Sequence, residues 1–192
     1  RSFLMSPAPR EAGMIECRII RERGRFSKLS GRAVYTLESD DGVFLMTARK
    51  EKHNKTLNYT ISMTKNLAAG KELEFCLGKL RSNLLGLEFT AYGTGLNPKK
   101  IDPTMNRSHA IQLARQELLS VQYSSSLCGS KPRGPRKMTA VIPHVTASGE
   151  RLVCRTLSPE TEGLLAMQEG GSDSHIEVYQ NKPPKWNEQI GA

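Results

Sequence analysis

The sequence lacks the motifs by which the common enzyme classes are recognised. It contains no G-x-S-x-G, no H-E-x-x-H, no G-x-x-x-x-G-K, and no G-x-G-x-x-G that opens a helix after a strand. Its four histidines are scattered, and none has a second His or a Cys at the spacing of metal ligands. An acid–base pair assembled by the fold would leave no such signal, and that alternative stays open. We predict a protein that is not an enzyme and that binds no metal or cofactor.

Cysteine pairs are absent as well. Cys17, Cys76, Cys128 and Cys154 are singletons without a C-x-x-C spacing, which excludes zinc knuckles and thioredoxin-type motifs. Each lies in or beside an apolar run, so we predict buried thiols that behave as small hydrophobic side chains. The even count also permits disulfides, but the sequence shows no secretory signal that would indicate an oxidising compartment.

Long hydrophobic runs and aromatic residues are scarce. No apolar stretch approaches the roughly 20 residues that a membrane-spanning helix needs. Residues 1–7 are interrupted too early to form the apolar part of a signal peptide. Aromatic residues make up 6% of the chain and are not interleaved with cations, which argues against base-stacking surfaces for single-stranded nucleic acid. These absences indicate a soluble intracellular protein.

Positive charge is what the sequence has in excess. The formal net charge is +9, which indicates an anionic partner such as nucleic acid or an anionic membrane surface. Hydrophobic residues at 38% and charged residues at 24% are ordinary for a globular protein. Because no repeat, low-complexity tract or linker divides the chain, we predict a single domain over residues 1–192.

The hydrophobic pattern predicts a mainly β fold, either a sandwich or a barrel. The D-G dipeptide at Asp41 and Gly42 marks a hairpin turn, and residues 57–63 alternate strictly between apolar and polar side chains. Helix signals are confined to residues 108–119 and to a segment that opens at Ser158 and Pro159; residues 163–167 fit either a helix or a strand. The predicted strands are 14–20, 33–37, 43–48, 57–63, 73–80, 87–92, 138–142, 151–154 and 176–179.

Basic residues cluster at three places, of which one has a converging geometry. Lys79 and Arg81 stand at i and i+2 near a strand end, so their side chains point to one face, with Leu80 on the opposite face, which we predict to be the core side. Arginine binds a phosphate bidentately, and lysine acts as a mobile point charge. The other clusters, at residues 49–55 and 131–137, have the usual composition of solvated surfaces.

The same segments resemble the tubby family. Residues 55–62 read KTLNYTIS and residues 78–86 read GKLRSNLLG, and further matches follow in order: RQEL at 115–118, GPRKM at 134–138 and NKPPKWN at 181–187. Residues 3–9 are similar to the first segment of a tubby domain. The resemblance therefore covers essentially the whole chain, and G-K-L-R-S-N is its most specific motif.

The resemblance implies an antiparallel β-barrel around a hydrophobic C-terminal helix, with a shallow basic pocket for phosphatidylinositol bisphosphates, chiefly the 4,5 isomer. By position in the motifs, Lys79 and Arg81 are the implied phosphate ligands. Asn58 is the implied polar contact to the headgroup, and Arg115 is a supporting cation. Asn58 also lies on the polar face of its predicted strand.

The sequence departs from the family pattern in two places. Glu51 and His53 interrupt a segment that is more uniformly basic in the family, which predicts a weaker peripheral field. The chain ends at Ala192, where the family continues into further strands and the central helix. We therefore expect a tubby-type barrel that is incomplete. Closing it without the helix would leave a void whose cost exceeds a typical stability of roughly 5–15 kcal/mol.

The function predicted from the resemblance is a phosphoinositide-binding, membrane-tethering adaptor. The family's roles imply trafficking of membrane-receptor cargo to cilia, and a cytoplasmic location at the plasma or ciliary membrane, with the nucleus as a further possibility. The alternative is a nucleic-acid-binding, transcription-regulating module, which the net charge permits and whose binding would fall steeply with salt.

Overall fold

The computed structural model describes residues 1–23, 33–51, 56–65, 75–124, 137–171 and 174–182. Within these ranges the chain forms one large antiparallel sheet and a few short helices. The strands are β1 (Cys17–Arg23), β2 (Ala33–Ser39), β3 (Phe44–Lys50), β4 (Asn58–Ser62), β5 (Cys76–Ser82), β6 (Glu88–Tyr92), β7 (Gln116–Tyr123), β8 (Met138–Pro143), β9 (Cys154–Arg155) and β10 (Ile176–Gln180). The helices are α1 (Ser2–Met5), α2 (Arg107–Leu113), α3 (Pro159–Glu162) and α4 (Leu164–Glu169), with 3-10 turns at Arg10–Ala12 and Pro98–Lys100.

The strands follow each other as neighbours, so the sheet is a meander. Its order is β1-β2-β3-β4-β5-β6-β7-β8-β10, and β9 pairs with the beginning of β7. Between the described residues the path is open, with β1 at one end and β10 at the other. The prediction of a mainly β, antiparallel architecture that does not close is confirmed.

The apolar core lies where α4 covers one face of β7, β8 and β10. Leu164 at the start of α4 is completely buried, and Leu165 and Met167 pack on the same cluster. Burial raises the pKa of the Cys154 thiol to about 12, with a further contribution from the charge of Glu117, so this cysteine is a protonated core side chain. The buried members of the cluster are Val141, Cys154, Leu164 and Ile176.

The cysteine prediction holds only in part. Cys154 is buried, but Cys76 is half-buried and Cys17 is exposed on the end strand β1. An end strand pairs on one side only, so an apolar neighbourhood in sequence does not ensure burial there. Cys128 lies outside the described residues.

One helix prediction was wrong. The helix predicted for 108–119 ends at Leu113, and the following residues form the strand β7. The N-cap of α2 is Asn106, whose side chain accepts from the Ser108 N–H. Residues 164–169 form a helix, which resolves the ambiguity of that segment. No helix within the described ranges has the length and apolar character to cross a membrane.

Candidate anion-binding site

The register of β4, β5 and β6 determines how the candidate ligands are arranged. Asn58 pairs with Arg81, and Lys79 lies between Thr60 on β4 and Tyr92 on β6. Lys79 and Arg81 are two residues apart on one strand, so their side chains leave the same face of the sheet. The strands approach closely here because position 78 is a glycine, where a Cβ atom would lie 2.3 Å from the Tyr92 carbonyl oxygen.

This face is the inner face of the sheet, which corrects the prediction that Leu80 lies on the core side. A path of directly opposite cross-strand partners leads from Arg81 to Ser120 and from Ser120 to Val141. Because such partners share one face of a sheet, Arg81 lies on the same face as Val141, which is a fully buried core residue. Leu80 therefore points to the outer face, not to the core side. On β4 the polar residues are likewise the buried ones, since Asn58 is 6% exposed and Ser62 is completely buried.

Hydrogen bonds explain why polar side chains are tolerated inside. The Ser62 hydroxyl donates to the Phe75 carbonyl at 3.2 Å, and the Thr47 hydroxyl donates to the Thr64 carbonyl at 2.9 Å. Satisfied polar groups can be buried at little cost, so alternation shows that a strand has two faces but not which face is enclosed.

Arg115 reaches the site from the connection between β6 and β7. Leu96 bridges to Ala114, and the Arg115 N–H donates to the Leu96 carbonyl at 2.9 Å. Gly95 makes this approach possible: its φ is +122°, and a Cβ there would lie 2.6 Å from the Arg115 Cα. A glycine is thus required for both its conformation and its size.

The Arg115 guanidinium stacks on Tyr92, with its central carbon 3.6 Å from the ring centroid. Burial lowers the pKa of Arg115, the nearby Tyr92 opposes that shift, and the like charge of Arg81 adds to it. An arginine stays charged despite such a shift, so two guanidinium groups lie close together in a partly buried place. The Nε atoms of Arg81 and Arg115 are buried, and neither has a hydrogen-bond partner among the described residues.

Three of the four predicted residues line one cavity of about 370 Å3, which we call the cationic cavity. Lys79, Arg81 and Arg115 contribute to it together with Arg1 and Lys100, and its described lining contains no carboxylate. Asn58 instead lines the adjoining mixed cavity of about 540 Å3, where Arg81 and Arg115 meet several glutamates. The structure therefore brings Lys79, Arg81 and Arg115 together and places Asn58 beside Arg81 on the neighbouring strand.

Glu51 occupies the other side of Lys79. Its Oε1 accepts from Lys79 Nζ at 2.9 Å and from the Thr60 hydroxyl at 2.7 Å. Partial burial raises the pKa of the Glu51 carboxyl, but the hydrogen bonds from Thr60 and Lys79 and the charges of Lys79 and Arg81 outweigh it, and the net pKa is lowered. The carboxylate is therefore ionised at neutral pH and competes with any anion for Lys79.

Several residues at the site gave no functional signal in the sequence. Tyr92, Lys100 and Gly95 are far from the basic clusters along the chain and join the site only through the meander. Glu51 was recognised as an interruption of a basic segment, but its pairing with Lys79 depends on the β3–β4–β5 register. His53 and the 131–136 part of the third basic cluster lie outside the described residues. Within those residues, no group of three or more His, Cys, Asp or Glu side chains could hold a metal ion.

The comparisons with known proteins agree on one family. A family model described as the Tub family matches residues 4–192. The chain is 38% identical to human Tubby-related protein 1 over 198 residues, covering 100% of this chain and 34% of that protein. It is 35% identical to Tubby-related protein 3 of Mus musculus, with coverages of 97% and 39%, and 32% identical to Protein king tubby of Drosophila grimshawi, again with 97% and 39%. The chain thus spans between a third and two fifths of the length of these relatives.

Proposed function

The chain belongs to the Tub family, and we propose that it is a phosphoinositide-binding module whose ligand is phosphatidylinositol 4,5-bisphosphate, rather than an enzyme. The cationic cavity is the observation that carries this proposal. It gathers five basic residues without a carboxylate in its described lining. Such an arrangement is unfavourable when the cavity is empty, because like charges repel, and becomes favourable when a polyanion enters.

Each candidate ligand has a role that follows from its surroundings. Arg81 and Arg115 both line the cationic cavity, and a guanidinium group can bind a phosphate bidentately. Lys79 is 44% exposed and can turn from Glu51 toward a second phosphate. Asn58 lies next to Arg81 in the register and supplies a buried neutral polar group that lines the adjoining mixed cavity.

The proposed cellular role is a membrane-tethering adaptor. The resemblance to tubby proteins suggests that the module docks on the cytoplasmic face of the plasma or ciliary membrane and takes part in the trafficking of receptor cargo. The similarity to Tubby-related proteins 1 and 3 supports this role only through the family, since the chain covers 34% and 39% of those proteins. The cationic cavity supports the part of this role that consists of docking on phosphoinositides.

A vesicle-binding assay tests the proposal. The double variant Lys79→Ala/Arg81→Ala should lose at least roughly ten-fold in affinity for phosphatidylcholine vesicles that contain phosphatidylinositol 4,5-bisphosphate. Each charge-assisted hydrogen bond to a phosphate contributes about 1.5–3 kcal/mol, and 1.4 kcal/mol corresponds to a factor of ten.

Lys65→Ala/Arg107→Ala is the matched control, because it also removes one lysine and one arginine, but at positions away from the cationic cavity. Lys65 pairs with Glu38 and Arg107 with Glu162 on the exposed surface, where ion pairs contribute little to stability. Equal losses in the two double variants would mean that only net charge matters. That result, or tighter binding of duplex DNA than of the vesicles, would favour the nucleic-acid alternative and contradict the proposal.

A further inference from the structure

The turn between β5 and β6 presents two adjacent leucines to solvent. Leu84 and Leu85 are each 79% exposed. Leu84 is only three residues beyond Arg81, roughly 10 Å along an extended strand. Exposed apolar side chains that stand singly are ordinary, but two in succession on a turn form a small apolar prominence that calls for an explanation.

Hydrogen bonds hold this turn in one conformation. The Gly86 N–H donates to the Asn83 carbonyl at 3.2 Å, and Gly86 adopts a φ of +67°. The Asn83 side-chain oxygen accepts from the N–H groups of Leu87 and Glu88 at 3.0 and 3.3 Å. The Asn83 N–H in turn donates to the Glu88 carbonyl at 2.9 Å. The two leucines are therefore displayed by an ordered turn, so little conformational entropy is lost if they contact a partner.

The surrounding edge of the sheet is basic. Because the sheet is a meander, β3, β5 and β7 all end at the edge where β5 ends at Ser82, which we call the Ser82 edge. Lys50 at the end of β3 and Lys137 before β8 are exposed there, each two strands from the turn, which corresponds to about 10 Å. Lys182 follows β10 at the same edge and is exposed.

We propose that Leu84 and Leu85 insert into the apolar interface of an anionic lipid bilayer while the cations of the Ser82 edge contact its headgroups. An apolar prominence flanked by lysines matches the layered chemistry of such a bilayer, whose anionic surface lies directly above hydrocarbon. The inference deepens the proposed function and rests on it, because Arg81 lines the cationic cavity and lies one residue before Ser82, near the turn from which the leucines project.

The test separates the bilayer from the headgroup. Leu84→Ser/Leu85→Ser in the full chain should bind phosphatidylcholine vesicles containing phosphatidylinositol 4,5-bisphosphate roughly 10- to 100-fold more weakly than the unchanged chain. The affinity of both proteins for soluble inositol 1,4,5-trisphosphate should be equal, because that ligand has no acyl chains. Leu84→Met/Leu85→Met should retain vesicle binding, since it keeps the apolar character of the turn.

Val43→Ser/Val153→Ser is the matched control. Val43 and Val153 are 55% and 65% exposed, and both lie toward the opposite edge of the sheet, near the β2–β3 turn and the start of β9. Removing these two apolar side chains should leave vesicle affinity unchanged.

Each remaining outcome decides a different question. Equal vesicle affinity of the leucine variant and the unchanged chain, with intact trisphosphate binding, overturns the bilayer inference and leaves the proposed function standing. Self-association that disappears in the leucine variant, again with unchanged vesicle binding, identifies a protein partner instead. Absence of trisphosphate binding in both proteins contradicts the proposed function. The bilayer inference would then survive only if binding to anionic vesicles still depended on the leucines.

Discussion

The Lys79 ammonium has two competing partners, an internal carboxylate and an incoming phosphate. In the structure it lies 2.9 Å from Glu51 Oε1, and this pair is only partly buried. A pair of this kind contributes roughly 0–1 kcal/mol, so an anion that also meets Arg81 and Arg115 can displace it. Glu51 therefore reduces the affinity of the site without blocking it.

Substitution of Glu51 should tighten anion binding. Glu51→Gln keeps an acceptor for the Thr60 hydroxyl but removes the negative charge, so affinity for inositol 1,4,5-trisphosphate at pH 7 should rise roughly 2- to 10-fold. Glu51 has a lowered pKa, so its ion pair stabilises the folded protein above the pKa of the unfolded chain and is lost as pH falls through the folded pKa. The affinity difference between variant and unchanged chain should therefore shrink at low pH. Calorimetric titration at several pH values measures it.

Glu38→Gln is the control for this substitution, because Glu38 pairs with Lys65 away from the cationic cavity. It alters the net charge by the same amount and should leave affinity nearly unchanged. Equal effects of the two variants would show that Glu51 does not act through Lys79.

At the residue scale, the sequence was sufficient to predict the one pair of candidate ligands whose arrangement depends on local geometry alone. The i, i+2 spacing places Lys79 and Arg81 on one face of any strand, whatever the rest of the fold does. The stacking of Arg115 on Tyr92 could not be predicted in this way, because these residues meet only through the connection that Gly95 allows. Contacts between residues distant in sequence depend on register, which no local pattern contains.

At the scale of elements, Glu117 connects β7 to α4. Glu117 is 3% exposed, and its carboxylate accepts from the Leu164 N–H at 2.9 Å. Burial raises the pKa of Glu117 and the charge of Glu160 adds to this, whereas the Leu164 N–H and Arg115 lower it, with a net upward shift. The residue fixes the helix that covers the core, at the cost of a buried charge.

Substitutions of Glu117 can separate its role as the acceptor for the Leu164 N–H from the effect of its buried charge. Glu117→Ala leaves the Leu164 N–H without its acceptor and should cost about 1–3 kcal/mol of unfolding free energy. Because the folded pKa is raised, the favourable contribution of the protonated form is present below the unfolded pKa and is lost as pH rises through the folded pKa. Glu117→Gln should therefore gain stability relative to the unchanged chain as pH rises. Urea unfolding at pH 5 and pH 8 measures this, and parallel pH profiles would contradict the assignment.

The strand β7 shows why an element was missed. Ala110, Ile111, Ala114 and Leu118 stand at helical spacing, which extended the predicted helix through residue 119. In the structure α2 ends at Leu113 and β7 pairs on both sides, with β6 and β8. Pairing with two neighbours satisfies the backbone of a segment whose own pattern is ambiguous, so tertiary context decides its conformation.

At the scale of the whole molecule, the net charge is +9, and the fold places the basic residues in distinct regions. The meander collects Lys79, Arg81 and Arg115 at one cavity and leaves Lys50, Lys137 and Lys182 at the Ser82 edge. The hydrophobic pattern predicted the mainly β architecture, and the family resemblance implied an antiparallel barrel that is incomplete in this chain. The sequence could not predict which face of the sheet is enclosed, because buried hydroxyl and amide side chains cover the inner face.

The most direct measurement is a titration of the isotopically labelled chain with inositol 1,4,5-trisphosphate, followed by nuclear magnetic resonance at physiological salt. The account predicts saturable shifts at the backbone amides of β5 and Arg115, and at the side-chain Nε–H signals of Arg81 and Arg115, whose Nε atoms have no partner among the described residues. Absence of saturable shifts, or shifts largest at basic residues away from the cationic cavity, such as Lys65 or Arg107, would contradict it.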